Sequence, residues 1–75
     1  MGKNNGAHLV DGVVVEALPG LMFRVAICPE GEERKILAHL AGKMKINYIR
    51  IIPGDRVIVE MPSLKDTRGR IVRRH

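Results

Sequence analysis

The sequence predicts an all-β protein: a small five-stranded barrel with a short helix between the third and fourth strands. Three observations carry this. Ile and Val number eight each, against one Phe, one Tyr, one Thr and no Trp, and β-branched aliphatics at that density favour strands. Apolar residues recur at every second position in three segments, at Phe23, Val25 and Ile27, at Ile36, Ala38 and Leu40, and at Val57, Val59 and Met61, which is strand periodicity. The third is length. A chain of 75 residues buries only about 60% of its unfolded surface, so the core is thin. Closing the sheet on itself then removes the unpaired strand edges.

The elements follow in order. Residues 1–7 are expected to be a flexible N-terminal tail on a single domain spanning 1–75. Val10 to Ala17 predicts the first strand, with Gly12 inside it marking a bulge or bend. Leu18-Pro19-Gly20 is a turn signal. Met22 to Cys28 predicts a second strand, with Phe23, Val25 and Ile27 on one face and Met22, Arg24, Ala26 and Cys28 on the other. The polar turn from Pro29 to Glu33 leads into a third strand, Arg34 to Leu40, so the two form a hairpin.

Ala41-Gly42 then breaks the strand. Met44, Tyr48 and Ile49 fall at helical spacing, and Pro53-Gly54-Asp55 closes this connector as a turn. Strand four runs through Arg56 to Met61. Pro62 to Thr67 is a polar loop, and Arg68 to Arg74 predicts strand five. Gly69, Ile71 and Arg73 are expected on one side of it, and Arg70, Val72 and Arg74 on the other. Strand–strand–strand–helix–strand–strand is the order of the OB-fold, whose strand 2–3 face and adjoining loops bind oligonucleotides. An SH3-like barrel is the competing architecture, but it usually lacks a helix at this place.

Composition and motifs exclude several functions. No apolar run approaches the roughly 20 residues of a membrane-spanning helix, and the N-terminus has no secretory pattern. Cys28 is the single cysteine. No internal disulfide is possible, and a bridge-free small domain points to the cytoplasm. Cys28 itself is expected to be a small hydrophobe near a strand end. With three His, one Ser and one Thr, no metal-ligand cluster, nucleophile elbow or P-loop can be assembled. The chain is expected to be no enzyme, with no cofactor and no metal.

The charge points elsewhere. The net charge is +5. Residues 1–42 hold four basic against five acidic residues, whereas residues 43–75 hold nine against three. An excess confined to one half is the footprint of a polyanion binder. Arg68, Arg70, Arg73 and Arg74 place four guanidinium groups within seven residues, and Arg suits phosphate because its fork donates two parallel hydrogen bonds. Gly69 between them would let the backbone approach a ligand. Lys43, Lys45 and Arg50 form a second basic group on the connector. Any one of these is more simply a solvated surface charge; the two clusters together favour binding. Base stacking along a single strand is disfavoured, because it needs several aromatic faces. Phosphate contacts and shape recognition of folded RNA fit better.

Five segments also resemble one known family, in order along the chain. LPGLMFRV at 18–25 resembles L-P-x-x-M-F-R-V, and AHLAGKMK at 38–45 resembles A-H-I-S-G-K-M-R. NYIRI at 47–51, GDRV at 54–57 and GRIV at 69–72 match N-Y-I-R-I, G-D-[KR]-V and G-R-I-V. Together they resemble bacterial translation initiation factor 1. The resemblance implies an S1-like OB-fold that binds small-subunit ribosomal RNA near the decoding A site. It implies blocking of premature tRNA entry and joint action with initiation factors 2 and 3, as a monomer with no membrane. The RNA-binding residues expected from charge and resemblance together are His39, Lys43, Lys45, Tyr48, Arg50, Arg68, Arg70 and Arg74.

Departures from the family pattern sit at the edges of these motifs. The turn Cys28–Lys35 is longer and more acidic than usual. Ile46, Leu64 and Arg73 stand where a Lys, a Tyr and an aromatic residue are common. A general RNA chaperone of the cold-shock type is the alternative function, and a module for an acidic protein partner is a third.

Overall fold

The structure, a computed structural model, describes residues 8–28, 31–42, 44 and 50–74. Five strands are present: β1 His8–Leu18, β2 Met22–Ile27, β3 Arg34–Leu40, β4 Arg56–Met61 and β5 Arg68–Arg74. They form a closed barrel in the order β1-β2-β3-β5-β4, with β4 returning to β1. All neighbours are antiparallel except β3 and β5, which run parallel from Leu37 opposite Arg68 to Leu40 opposite Ile71. The expected helix falls on residues 43 and 45–49, outside those described. Among the described residues the connector shows no complete helix, and the Met44 N–H donates to the Ala41 carbonyl at 3.0 Å.

β1 is the long strand, and it serves two neighbours. Residues 8–13 pair with β4 and residues 12–18 with β2. A bulge at Val15, between the Val14–Val25 and Glu16–Arg24 pairs, marks where it bends. The turn before β4 is tied to the same point, with Val14 N donating to Asp55 O at 2.9 Å and Gly54 N to Val14 O at 2.7 Å.

The inward rows are those the alternation predicts. Val14, Phe23, Val25, Ile27, Ile36, Ala38, Leu40, Val57, Val59, Met61 and Ile71 are buried, joined by Ala41, Met44 and Ile51 from the connector. Among the described residues no polar or charged side chain is buried with them. Each fully buried Val or Ile contributes about 1.5–3 kcal/mol relative to exposure. Met22, in contrast, is only half-buried and faces outward.

Two strand glycines are fixed by close approach. A Cβ on Gly12 would lie 2.6 Å from Val25 Cγ1, and one on Gly69 would lie 2.5 Å from Val59 Cγ1 and 3.1 Å from Met61 Cγ. This corrects the expectation for Gly69. Its missing side chain admits β4 core residues, so the tight approach is to the barrel's own interior.

β5 also departs from simple alternation. Ile58 pairs with Arg73 and Val59 with Ile71, leaving Val72 in a bulge. Beyond the bulge the parity shifts, and Arg73 is exposed beside outward-facing Ile58 instead of following Ile71 into the core. Cys28 lies one residue past β2 and is exposed, so it packs in no core.

Candidate nucleic-acid interface

The cross-strand register gathers the predicted residues on the outer face of β2, β3, β5 and β4. Met22 is opposite His39, His39 is opposite Arg70, and Arg70 is opposite Glu60. One row of side chains therefore runs across four strands. A second row lies beside it, with Arg24 opposite Leu37 and Leu37 opposite Arg68. Along these rows is an open groove of about 620 Å³, lined by Met22, Leu37, His39, Pro62, Arg68 and Arg70 among others. The parallel β3–β5 pairing matters here, because it brings His39 beside Arg70 although 31 residues separate them.

The basic side chains of this face differ in their partners. Arg70 donates through Nη2 to Glu60 Oε1 in an ion pair. Arg24 Nε lies 3.4 Å from Glu16 Oε1, an ion pair without hydrogen-bond geometry. Arg68, Arg73 and the His39 imidazole have no ion-pair partner among the described residues. Exposed pairs of this kind contribute at most about 1 kcal/mol each. A phosphate can therefore compete for the guanidinium groups.

A second basic locus sits at the end of the barrel. Arg74 Nη1 lies 3.9 Å from Asp55 Oδ2 and 3.4 Å from the carbonyl oxygen of Arg50. The Asp55 carboxylate also accepts from the Ile52 N–H at 3.0 Å. Strand β5 and the end of the connector thus share one surface, and Arg50 and Arg74 meet on it. Of the eight predicted residues, His39, Arg68 and Arg70 line the groove, and Arg50 and Arg74 lie at the barrel end. Lys43, Lys45 and Tyr48 lie outside the described residues.

Two participants escaped the sequence reading. Glu60 enters the groove because β4 alternates and its outward position faces Arg70. Arg34, the first residue of β3, donates to the carbonyl oxygens of Leu64 and Lys65, the latter at 3.4 Å. It pins the 62–67 loop next to Arg68. Alternation places Glu60 outward, but its partner depends on the β4–β5 register, and the Arg34 contacts depend on a loop about 30 residues away. Among the described residues no group of three His, Cys, Asp or Glu could hold a metal ion. No helix among them is long and apolar enough to cross a membrane.

Comparison with known proteins agrees with this geometry. A family model described as translation initiation factor 1A / IF-1 matches residues 4–75. Among solved structures, the chain is similar to the solution structure of translation initiation factor 1 from the Wolbachia endosymbiont strain TRS of Brugia malayi. The TM-score is 0.72 at 42% identity, over 97% of this chain and 83% of that one. It is also similar to the crystal structure of YjeQ from Thermotoga maritima, with a TM-score of 0.69 at 28% identity, over 91% of this chain and 23% of that one.

Proposed function

This chain belongs to the translation initiation factor 1A / IF-1 family, and on that premise we propose that it binds small-subunit ribosomal RNA near the decoding A site. There it blocks premature tRNA entry, acting as a single-domain monomer together with initiation factors 2 and 3 in the cytoplasm. The mechanism is occupancy, without a reaction. His39, Arg68 and Arg70 contact the RNA along the groove, and Arg50 and Arg74 at the barrel end. Lys43, Lys45 and Tyr48, which lie outside the described residues, are proposed as further RNA contacts.

The observation that supports this reading best is the convergence of basic side chains. The β3–β5 pairing brings His39 beside Arg70 across 31 positions, and Arg74 at the end of β5 reaches the Arg50 carbonyl across 24. Phosphates held by such a face release counterions, so affinity falls with salt by about 0.7 to 0.9 log units per contact for each decade. A stacking mode of the cold-shock type has less support, because Phe23 is buried in the core.

The test is binding to purified small ribosomal subunits across a salt series, with large subunits and a generic single-stranded RNA as controls. Saturable one-to-one binding to small subunits, with a steep salt slope, is expected. Equal binding to all three would overturn the reading and leave a general polyanion binder.

A further inference from the structure

Glu60 is the one carboxylate among the described residues that line the groove. A negative charge is out of place on a surface built to hold phosphates. It is also not loosely placed. Its side chain is only 27% exposed, it stands directly opposite Arg70 in the β4–β5 register, and it accepts from one arm of the Arg70 fork. The other donors of that fork remain available, and the Arg70 side chain is 49% exposed. We infer that Glu60 is a positioning residue for RNA recognition: it fixes the Arg70 guanidinium so that its free donors meet a phosphate at one place and angle.

The physical reasoning concerns entropy and charge, which act in opposite directions. A free Arg side chain samples many rotamers, and binding must freeze it. Glu60 orders Arg70 in advance, which favours a rigid, folded RNA presenting its phosphate at the matching point. The same carboxylate repels every phosphate that enters the groove at random. Positioning therefore helps the structured target, while the negative charge penalises unstructured polyanions. Both effects raise discrimination. This inference rests on the proposed ribosomal reading of the groove and adds a determinant of its specificity.

The experiment compares the wild-type chain with Glu60→Gln, Glu60→Ala, Arg70→Ala and Glu60→Ala/Arg70→Ala, each verified as folded by thermal melting. Binding is measured to small subunits and to a generic single-stranded RNA across salt. Glu60→Ala is expected to weaken small-subunit binding about two- to tenfold, the range that holding one flexible side chain provides. Generic RNA binding is expected to stay level or tighten, with a salt slope steeper by up to about 0.7. Glu60→Gln, which keeps an acceptor for Arg70 but loses the charge, is expected to lie between. In the Arg70→Ala background, Glu60→Ala is expected to cause no loss of small-subunit binding and to tighten it slightly, because only the unneutralised charge is then removed.

Tighter binding to both targets by the same factor would overturn the inference and reduce Glu60 to a repelling charge. So would a loss that persists without Arg70, which would show that Glu60 acts through something else. A wild-type chain with no preference for small subunits would instead refute the ribosomal reading, and the inference with it.

Discussion

Replacing Gly69 by Ala tests the barrel's construction at its tightest point. The added methyl would stand 2.5 Å from Val59 Cγ1, 3.1 Å from Met61 Cγ and 3.2 Å from the Glu60 carbonyl oxygen. Val59 and Met61 are fully buried, so neither can retreat without disturbing the next layer. Overpacking of this kind costs about 1–3 kcal/mol. For a domain of this size each kcal/mol lowers the melting temperature by roughly 4–8 °C, so a fall of about 4 °C to about 24 °C is expected. Gly42→Ala is the matched control, because a methyl there meets no atom within 4 Å and the backbone is not in the left-handed region. That variant should melt at the wild-type temperature or slightly above. Thermal and urea unfolding of the two variants side by side decides the matter. A Gly69→Ala protein as stable as wild type would refute the claim that Gly69 serves close packing of β5 on β4.

Other expectations follow from the same structure. Val57→Lys places an ammonium at a fully buried position and should cost several kcal/mol, leaving the chain unfolded by circular dichroism at room temperature. Met22→Lys, on the outer face, should fold normally by the same measurement. Arg34→Ala removes both bonds to the 62–67 loop and should lower stability by about 1–2 kcal/mol. It should also speed hydrogen exchange of the Asp66 amide, which donates to Ser63; unchanged exchange there would show that the loop holds itself. Arg70→Ala should weaken small-subunit binding and reduce the salt slope by about one charge unit, and an unaltered slope would remove Arg70 from the interface.

What the sequence makes legible is what short-range periodicity encodes. β3 and β5 have the bounds expected, β1 is longer by two residues at its start and one at its end, and β2 stops one residue early at Ile27. The inward rows of β2, β3 and β4 follow directly from alternation. Pairing between distant strands leaves no such trace. The parallel seam between β3 and β5, the bulge at Val72 that turns Arg73 outward, and the role of Gly69 all depend on which strand lies alongside. The site divides in the same way. The outward position of His39 was legible because the inner face of β3 was clear, whereas β5 divided only into two sides, and its pairing with β3 and β4 decides that Arg68 and Arg70 face outward. The roles of Glu60 and Arg34 were not legible, because their partners lie 10 and about 30 residues away.

The closed topology also dictates an order of assembly. The β1–β2, β2–β3 and β4–β5 pairings join strands that are adjacent along the chain. The two remaining seams bring residue 8 to residue 61 and residue 37 to residue 68. Closing such long loops costs chain entropy before any contact repays it, so local hairpins form first and the seams lock last. Barrels of this kind fold in milliseconds to seconds. Val59 and Met61 approach Gly69 within the local β4–β5 hairpin, so the instability of Gly69→Ala should appear mainly as slower refolding, with unfolding little changed. A chevron plot reads this directly, and a loss carried by the unfolding limb would place the β4–β5 hairpin outside the folding nucleus.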